Sequence, residues 1–214
     1  MSNFHDLPHR RYNPLTGEWV LVSPHRMMRP WHGQKENESK KVLPEYDPNC
    51  YLCPGNERTG GIKNPDYTGT FVFKNDFSAL LEDSNITIDN KTKKSELFLS
   101  KEVSGTCRVI CFSPSHRQSL PEMKTSEILE VVSTWIDQTV ELGETYRWVQ
   151  IFENKGEVMG CSNSHPHGQV WASNSLPTEI NKEQQSQKQF FNKHSEPLLY
   201  DYANSEIQAG VRVV

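Results

Sequence analysis

The chain has 214 residues, with 23 Lys and Arg against 27 Asp and Glu and a net charge of -4. That balance lacks the basic footprint of a general nucleic-acid binder, and no apolar run approaches the ~20 residues of a membrane span. The first thirty residues carry Pro, Arg and His rather than the apolar run of a secretory leader, so a cytoplasmic location is expected. Five cysteines (Cys50, Cys53, Cys107, Cys111 and Cys161) in such a chain read as thiols and metal ligands rather than disulfides.

In chain order, residues 11–17 (Arg-Tyr-Asn-Pro-Leu-Thr-Gly) read as a turn, followed by a short strand over 18–22. Residues 32–66, rich in Pro, Gly, Asn and charge, read as loop. Cys50-Tyr51-Leu52-Cys53 lies inside that stretch and needs something to hold it. Residues 70–73, 97–99 and 107–112 read as strands, each short, β-branched or aromatic, and bounded by turn residues. A helix is predicted over 126–142, with Ile128, Val132, Trp135, Thr139 and Leu142 as its apolar stripe, Thr125 as N-cap and Gly143 at the stop. Strands over 148–152 and 170–172 follow, then a polar, helix-forming stretch over 178–194 and a strand-like end at Val211, Arg212, Val213 and Val214. Strands in runs with two separate helices predict an α+β fold on a mainly antiparallel sheet, here as one domain over 1–214.

His165-Pro166-His167-Gly168-Gln169 is the first candidate for chemistry. Histidines at i and i+2 on extended chain share a face, and imidazole can act as nucleophile, base or ligand near neutrality. His-x-His alone is as well read as a solvated loop. Its context shifts the balance. Phe152-Glu153-Asn154-Lys155-Gly156 and Met159-Gly160-Cys161-Ser162-Asn163-Ser164 follow a strand with small residues, whose backbone N–H groups can converge on an anion. Strand, loop and paired histidines together suggest chemistry at a phosphate.

Cys50-x-x-Cys53 suits tetrahedral zinc, given two more ligands. His116 and His165 are the better candidates for these, since Cys107 and Cys111 face one way along a strand and read as core residues. A closed Cys2His2 site leaves no position for water and is structural. The redox reading of Cys-x-x-Cys needs a βαβ context that is absent from this loop-rich stretch. Cys161 reads as a small buried residue rather than a nucleophile, lacking a third orienting group. Arg26 and Arg29, flanking Met27 and Met28, read as solvated surface unless a phosphate lies near enough for a clamp.

The run from Phe152 to Gln169 resembles the active-site signature of galactose-1-phosphate uridylyltransferases, a branch of the histidine triad superfamily. Arg11-Tyr12-Asn13-Pro14-Leu15-Thr16-Gly17-Glu18-Trp19-Val20, the segment from Ser23 to Trp31, and Asn64-Pro65-Asp66-Tyr67 agree with it. The resemblance implies a histidine-triad-like fold with a zinc-held loop. It also implies a transferase exchanging UDP between glucose 1-phosphate and galactose 1-phosphate by two displacements through a uridylyl-histidine.

By that resemblance His167 is the nucleophile, oriented by the backbone carbonyl of His165, and Gln169 hydrogen-bonds the phosphoryl oxygens. Ser162 contacts the phosphates, and Asn154, Gly160 and Cys161 line the same pocket. Asn75 and Asp76 lie near the nucleoside, and the segment Arg26, Met27, Met28 and Arg29 reaches the nucleotide. Cys50, Cys53, His116 and His165 are zinc ligands, and Glu183 belongs to a second metal site, of iron or zinc. Family members are longer, dimeric, and have a second, similar half. That half supplies three histidines to the Glu183 site and residues that reach the hexose.

Histidine triad hydrolases carry histidine where Gln169 stands. Glutamine cannot relay a proton, so the residue fits transfer better than hydrolysis. A nucleotide hydrolase and a non-catalytic, zinc-stabilised nucleotide-binding module are the alternatives.

Overall fold

A computed structural model describes residues 6–30, 42–82, 97–161 and 163–213. In chain order its elements are β1 (His9–Asn13), β2 (Glu18–Val22), β3 (Glu57–Arg58), β4 (Ile62–Lys63), β5 (Phe71–Lys74), β6 (Gly105–Cys111), α1 (Thr125–Gly143), β7 (Trp148–Phe152), β8 (His167–Ser173), α2 (Thr178–His194) and α3 (Leu198–Ala209). Among the described residues, strands pair only antiparallel, as the α+β reading expects. The chain forms two compact units, Met1–Glu38 with Leu176–Val214, and Ser39–Ser175.

In the first unit, β1 and β2 form a hairpin whose turn is closed by the Gly17 N–H on the Asn13 carbonyl at 2.9 Å. Asn13 also accepts the Leu15 N–H on its side-chain oxygen at 3.0 Å, an Asx turn that explains the Asn-Pro-Leu-Thr-Gly sequence. α2 and α3 pack on each other. α3 was not foreseen from the sequence.

The second unit is built on a four-stranded sheet of order β5-β6-β8-β7. Because side chains alternate across a strand, β6 and β8 sort their residues onto two faces. Ile110, Val170 and Ala172 point to one and are buried there with Phe112 and Val131 and Leu142 of α1. On the opposite face, the register places Phe71, Cys111 and His167 in one row. Phe73, Val109, Gln169 and Phe152 form the next. Gly168, between the two site residues, points to the α1 face. A Cβ there would lie 3.0 Å from the Phe112 ring and 3.2 Å from the Phe152 carbonyl, so close packing behind the site favours glycine.

Several expectations shift. Residues 97–99 are not a strand, and Leu97, Phe98 and Leu99 are exposed; apolar and aromatic content misled where no alternation supported it. Residues 211–213 are likewise not a strand, and Val214 lies outside the described residues. Lys124, not Thr125, is the N-cap of α1, its backbone N–H donating to the Glu127 carboxylate at 2.7 Å.

The buried face of α1 is also turned from the predicted stripe. Val131, Gln138 and Leu142 are buried on it and Trp135 packs on the core, whereas Ile128 and Thr139 are exposed. Gln138 is tolerated there because the Arg108 guanidinium donates to its side-chain oxygen at 2.7 Å while also pairing with Glu141.

Candidate active site and metal centre

The Cys50–Cys53 turn is held from both sides by asparagine side chains. Asn56 donates to the carbonyls of Asp47 and Cys50 at 2.9 and 2.7 Å. Asn64 donates to those of Tyr51 and Cys53 at 2.9 and 3.0 Å. Within the turn the Leu52 N–H points at Cys50 Sγ at 3.4 Å. His116 is brought in by its backbone N–H on the Glu45 carbonyl at 2.8 Å, and His165 by its N–H on Asn163 Oδ1 at 2.9 Å.

These local bonds gather Cys50, Cys53, His116 and His165, all buried, with one ligand atom of each within 4.8 Å of the others. Cys53 Sγ is 3.5 Å from Nδ1 of both His116 and His165. A tetrahedral centre with bonds of ~2.0–2.3 Å has ligand-to-ligand edges of about 3.3–3.8 Å, which the two 3.5 Å separations from Cys53 Sγ match. The donor states fit as well. His165 Nε2 faces the Ser113 carbonyl at 3.0 Å; a carbonyl only accepts, so Nε2 carries the proton and Nδ1 is bare toward the cluster. Burial, with His116 and His167 nearby, lowers the His165 pKa to about 4, keeping the ring neutral. Burial raises the Cys53 thiol, with Cys50 beside it adding in the same direction; such a pair becomes two thiolates readily only around a cation. These four side chains could hold a metal ion.

His167 opens β8 directly after Pro166. A residue before proline is kept out of the helical region, which restricts His165 and the direction of its carbonyl; the Pro166 carbonyl in turn accepts the Phe112 N–H at 3.2 Å. The His165 carbonyl takes the Nδ1 proton of His167 at 2.7 Å. His165 thus faces the Cys/His cluster with its ring and His167 with its backbone, so the two histidines do not act as a pair on one face. His167 Nε2 is left with its lone pair, and the ring lines a cleft of about 360 Å³.

Asn75, Asp76, Asn154, Gly160, Cys161 and Gln169 line the same cleft. Gln169 accepts the Trp171 indole N–H at 3.1 Å, which leaves its amide donors free of that contact. The loop from Asn154 to Cys161 turns through Gly156 and Gly160, both at positive φ, with the Cys161 N–H on the Gly156 carbonyl. Cys161 Sγ lies 3.1 Å from the Asn163 carbonyl. Ser162 lies outside the described residues.

Arg26, Met27 and Met28 belong to the other compact unit, on a short 3-10 helix over Pro24–Met28 capped by Arg29, and all four are exposed. Glu183, on α2 of that unit, is half-buried. Among the described residues, the Cys50, Cys53, His116 and His165 cluster is the one group of three or more metal-ligating side chains, so no such group forms around Glu183.

Sequence reasoning missed the apolar wall of the cleft, which includes Tyr51, Leu52, Phe73, Phe77 and Val109. Tyr51 and Leu52 are the two residues between the paired cysteines, and Phe73 and Val109 lie in the row of Gln169; strand register was the signal that finds them. It also missed Tyr67, whose hydroxyl donates to the Leu52 carbonyl at 2.6 Å and lies 3.3 Å from His165 Nε2.

Residues 2–177 match the model of the galactose-1-phosphate uridyl transferase N-terminal domain. A galactose-1-phosphate uridylyltransferase of Haemophilus influenzae is 53% identical over 207 residues, 97% of this chain and 58% of that protein. One of Rattus norvegicus is 50% identical over 206 residues, 96% of this chain and 54% of that protein. The chain therefore spans little more than half the length of these curated relatives. Among solved structures, a uridylyltransferase (TM-score 0.59, 22% identity) covers 88% of this chain and 53% of its own. An ADP-glucose phosphorylase of Arabidopsis thaliana (TM-score 0.60, 21% identity) covers 88% and 56%; at such identities the likeness speaks for the fold. Among the described residues, no helix is long and apolar enough to cross a membrane. By family model and sequence identity together, the chain belongs to the galactose-1-phosphate uridylyltransferase family.

Proposed function

We propose that this chain carries the nucleotidyl-transfer centre of an enzyme exchanging the uridylyl (UMP) group between glucose 1-phosphate and galactose 1-phosphate. The observation that carries the reading is His167, with Nδ1 bound to the His165 carbonyl and a free Nε2 in a cleft shared with Gln169, Asn75 and Asp76. The Nε2 lone pair attacks the α-phosphorus of UDP-glucose, an N–P bond forms, and the P–O bond to glucose 1-phosphate breaks. A phosphate oxygen of galactose 1-phosphate then attacks the uridylyl-histidine, releasing UDP-galactose and neutral imidazole. The Nδ1 hydrogen bond stabilises the positive charge on the ring while the adduct exists.

In this reading Gln169 donates to the phosphoryl oxygens as charge develops on them. Ser162, Asn154, Gly160 and Cys161 surround the phosphates, and Asn75 and Asp76 meet the nucleoside. The family resemblance makes Arg26, Met27, Met28 and Arg29 a nucleotide-binding segment, with the two guanidiniums as its anion-binding groups. Cys50, Cys53, His116 and His165 would hold a zinc ion that would supply rigidity rather than a reaction step, as a site closed by four protein side chains would. Glu183 contributes to a second metal site whose other ligands come from elsewhere in the longer family members. The match from residue 2 to 177 runs through both compact units and supports reading 1–214 as one N-terminal, histidine-triad-like domain. The family resemblance further supports a homodimer in the cytoplasm.

The test is incubation with UDP-glucose labelled in the uracil. Acid-labile label on the protein's histidine supports transfer. Free UMP without labelled protein indicates a hydrolase, and neither outcome leaves a binding module.

A further inference from the structure

Arg58 lies in the stretch read from sequence as loop, on the two-residue strand β3, and its side chain is 8% exposed. A guanidinium so deeply placed requires compensation, and it finds it in two residues. Its Nη1 donates to Asp76 Oδ1 at 2.9 Å, and its Cζ stands 3.9 Å from the centroid of the Phe73 ring. Asp76 and Phe73 both line the cleft that contains His167, whereas Arg58 is not among the lining residues. Phe73 is stacked in turn on Phe71, at 5.3 Å between centroids, and Phe71 on Tyr67 at 4.9 Å. Arg58 Nε is buried without a hydrogen-bond partner, so the ion pair and the ring contact carry the cost of burying the charge.

We propose that Arg58 is a positioning residue for the nucleoside: it fixes the Asp76 carboxylate and the Phe73 ring that together form one wall of the cleft. With Oδ1 engaged by Arg58, the carboxylate has a second oxygen in a set direction to accept from a hydroxyl or N–H of the nucleoside. Phe73, in contact with a guanidinium and a second ring, forms an apolar wall of fixed orientation beside it. Both duties depend on a planar, delocalised cation that lies over a ring while one N–H reaches sideways; a lysine ammonium can serve the carboxylate but not match the flat contact. The proposal rests on the uridylyltransferase reading of the cleft and names a residue that acts there without touching the ligand.

The experiment titrates residues 1–214 and the variants Arg58→Met, Arg58→Lys, Asp76→Ala and the Arg58→Met/Asp76→Ala double variant with UMP, and separately with inorganic phosphate. Bound metal is counted in each. Arg58→Met should weaken UMP about 10- to 100-fold, the scale of a lost hydrogen bond to a charged group, with metal content and phosphate affinity unchanged. Arg58→Lys should recover only part of the loss. The double variant should bind UMP within about 2-fold of Asp76→Ala, since residues in one network do not add.

UMP affinity within about 2-fold of wild type in Arg58→Met overturns the proposal, as does equal loss of UMP and phosphate affinity or full additivity in the double variant. If Arg58→Met does not fold, Arg58→Lys decides, and wild-type affinity there overturns the proposal. Wild-type chain that binds no UMP sinks the uridylyltransferase reading and this inference with it. Wild-type binding with an indifferent Arg58 sinks the inference alone.

Discussion

The two faces of the four-stranded sheet are stabilised by different physics. Toward α1, Ile110, Val170, Ala172, Val131 and Leu142 form an apolar core with no ionisable group among its buried members, each large side chain contributing ~1.5–3 kcal/mol by leaving water. Toward the cleft, the buried cluster is Cys50, Leu52, Cys53, Val109 and Cys111, with Tyr67, Phe71 and Phe73 against it. Three of those are thiols, and burial pushes Cys111 up to about 12. The first face is self-sufficient. The second is built around groups that call for a cation, and it carries His167 and Gln169. The comparison suggests a division of labour, in which hydrophobic burial secures the sheet and metal binding secures the site.

The sharpest way to break that division is to set His167→Ala beside Cys53→Ser. His167→Ala should abolish uridylylation while metal content and thermal unfolding stay at wild-type values. Cys53→Ser should lose the metal and the labelling together, and amide exchange should accelerate over 45–67, where Asn56 and Asn64 brace the cysteine turn, with the α1 face still protected. Uridylylation in metal-free Cys53→Ser would show that the site does not depend on the cluster.

Next in size, Gln169→Ala should slow both half-reactions by about 100- to 1000-fold, equivalent to ~2.7–4 kcal/mol of lost transition-state stabilisation. Its metal content should not change; stopped-flow single turnovers in each direction are the measurement, and a slowing confined to one half-reaction contradicts a shared phosphoryl contact. The smallest effect belongs to the other face. Ile110→Val should cost ~0.5–1.5 kcal/mol of stability, read as a lower denaturation midpoint, without altering metal content or UMP affinity. A large loss of either would mean that the two faces are coupled through the thickness of the sheet.

The strands of the sheet were legible because they alternate or run apolar between turn residues, and β7 was placed correctly at 148–152. Strand β8 was foreseen only as residues 170–172, since His167, Gly168 and Gln169 carry no β signature; pairing with β6 from Cys111 onward makes them strand. Cys50, Cys53, His116 and His165 were chosen on donor chemistry and family resemblance, and the structure gathers those side chains. Arg58 could not be found this way. Its significance lies in Asp76 and Phe73, 18 and 15 positions away, and nothing in Asn-Glu-Arg-Thr-Gly marks the middle residue as buried. Gln138 escaped for a related reason, because an apolar stripe cannot register a polar residue whose burial is answered by Arg108 on another element.

The 2.7 Å bond between His167 Nδ1 and the His165 carbonyl also dictates regiochemistry. With Nδ1 protonated and engaged, the ring offers electrophiles a single nitrogen. Any covalent adduct at His167, whether from a nucleotide or from an acylating reagent, should therefore be the tele (Nε2) isomer, without the pros (Nδ1) form. Long-range ¹H–³¹P or ¹H–¹⁵N correlations of the modified ring tell the two apart. The selectivity originates one residue upstream of the proline, in a peptide group whose own side chain is turned toward a different centre. A substitution at Pro166 that frees that peptide plane should thus be visible first as a mixture of isomers.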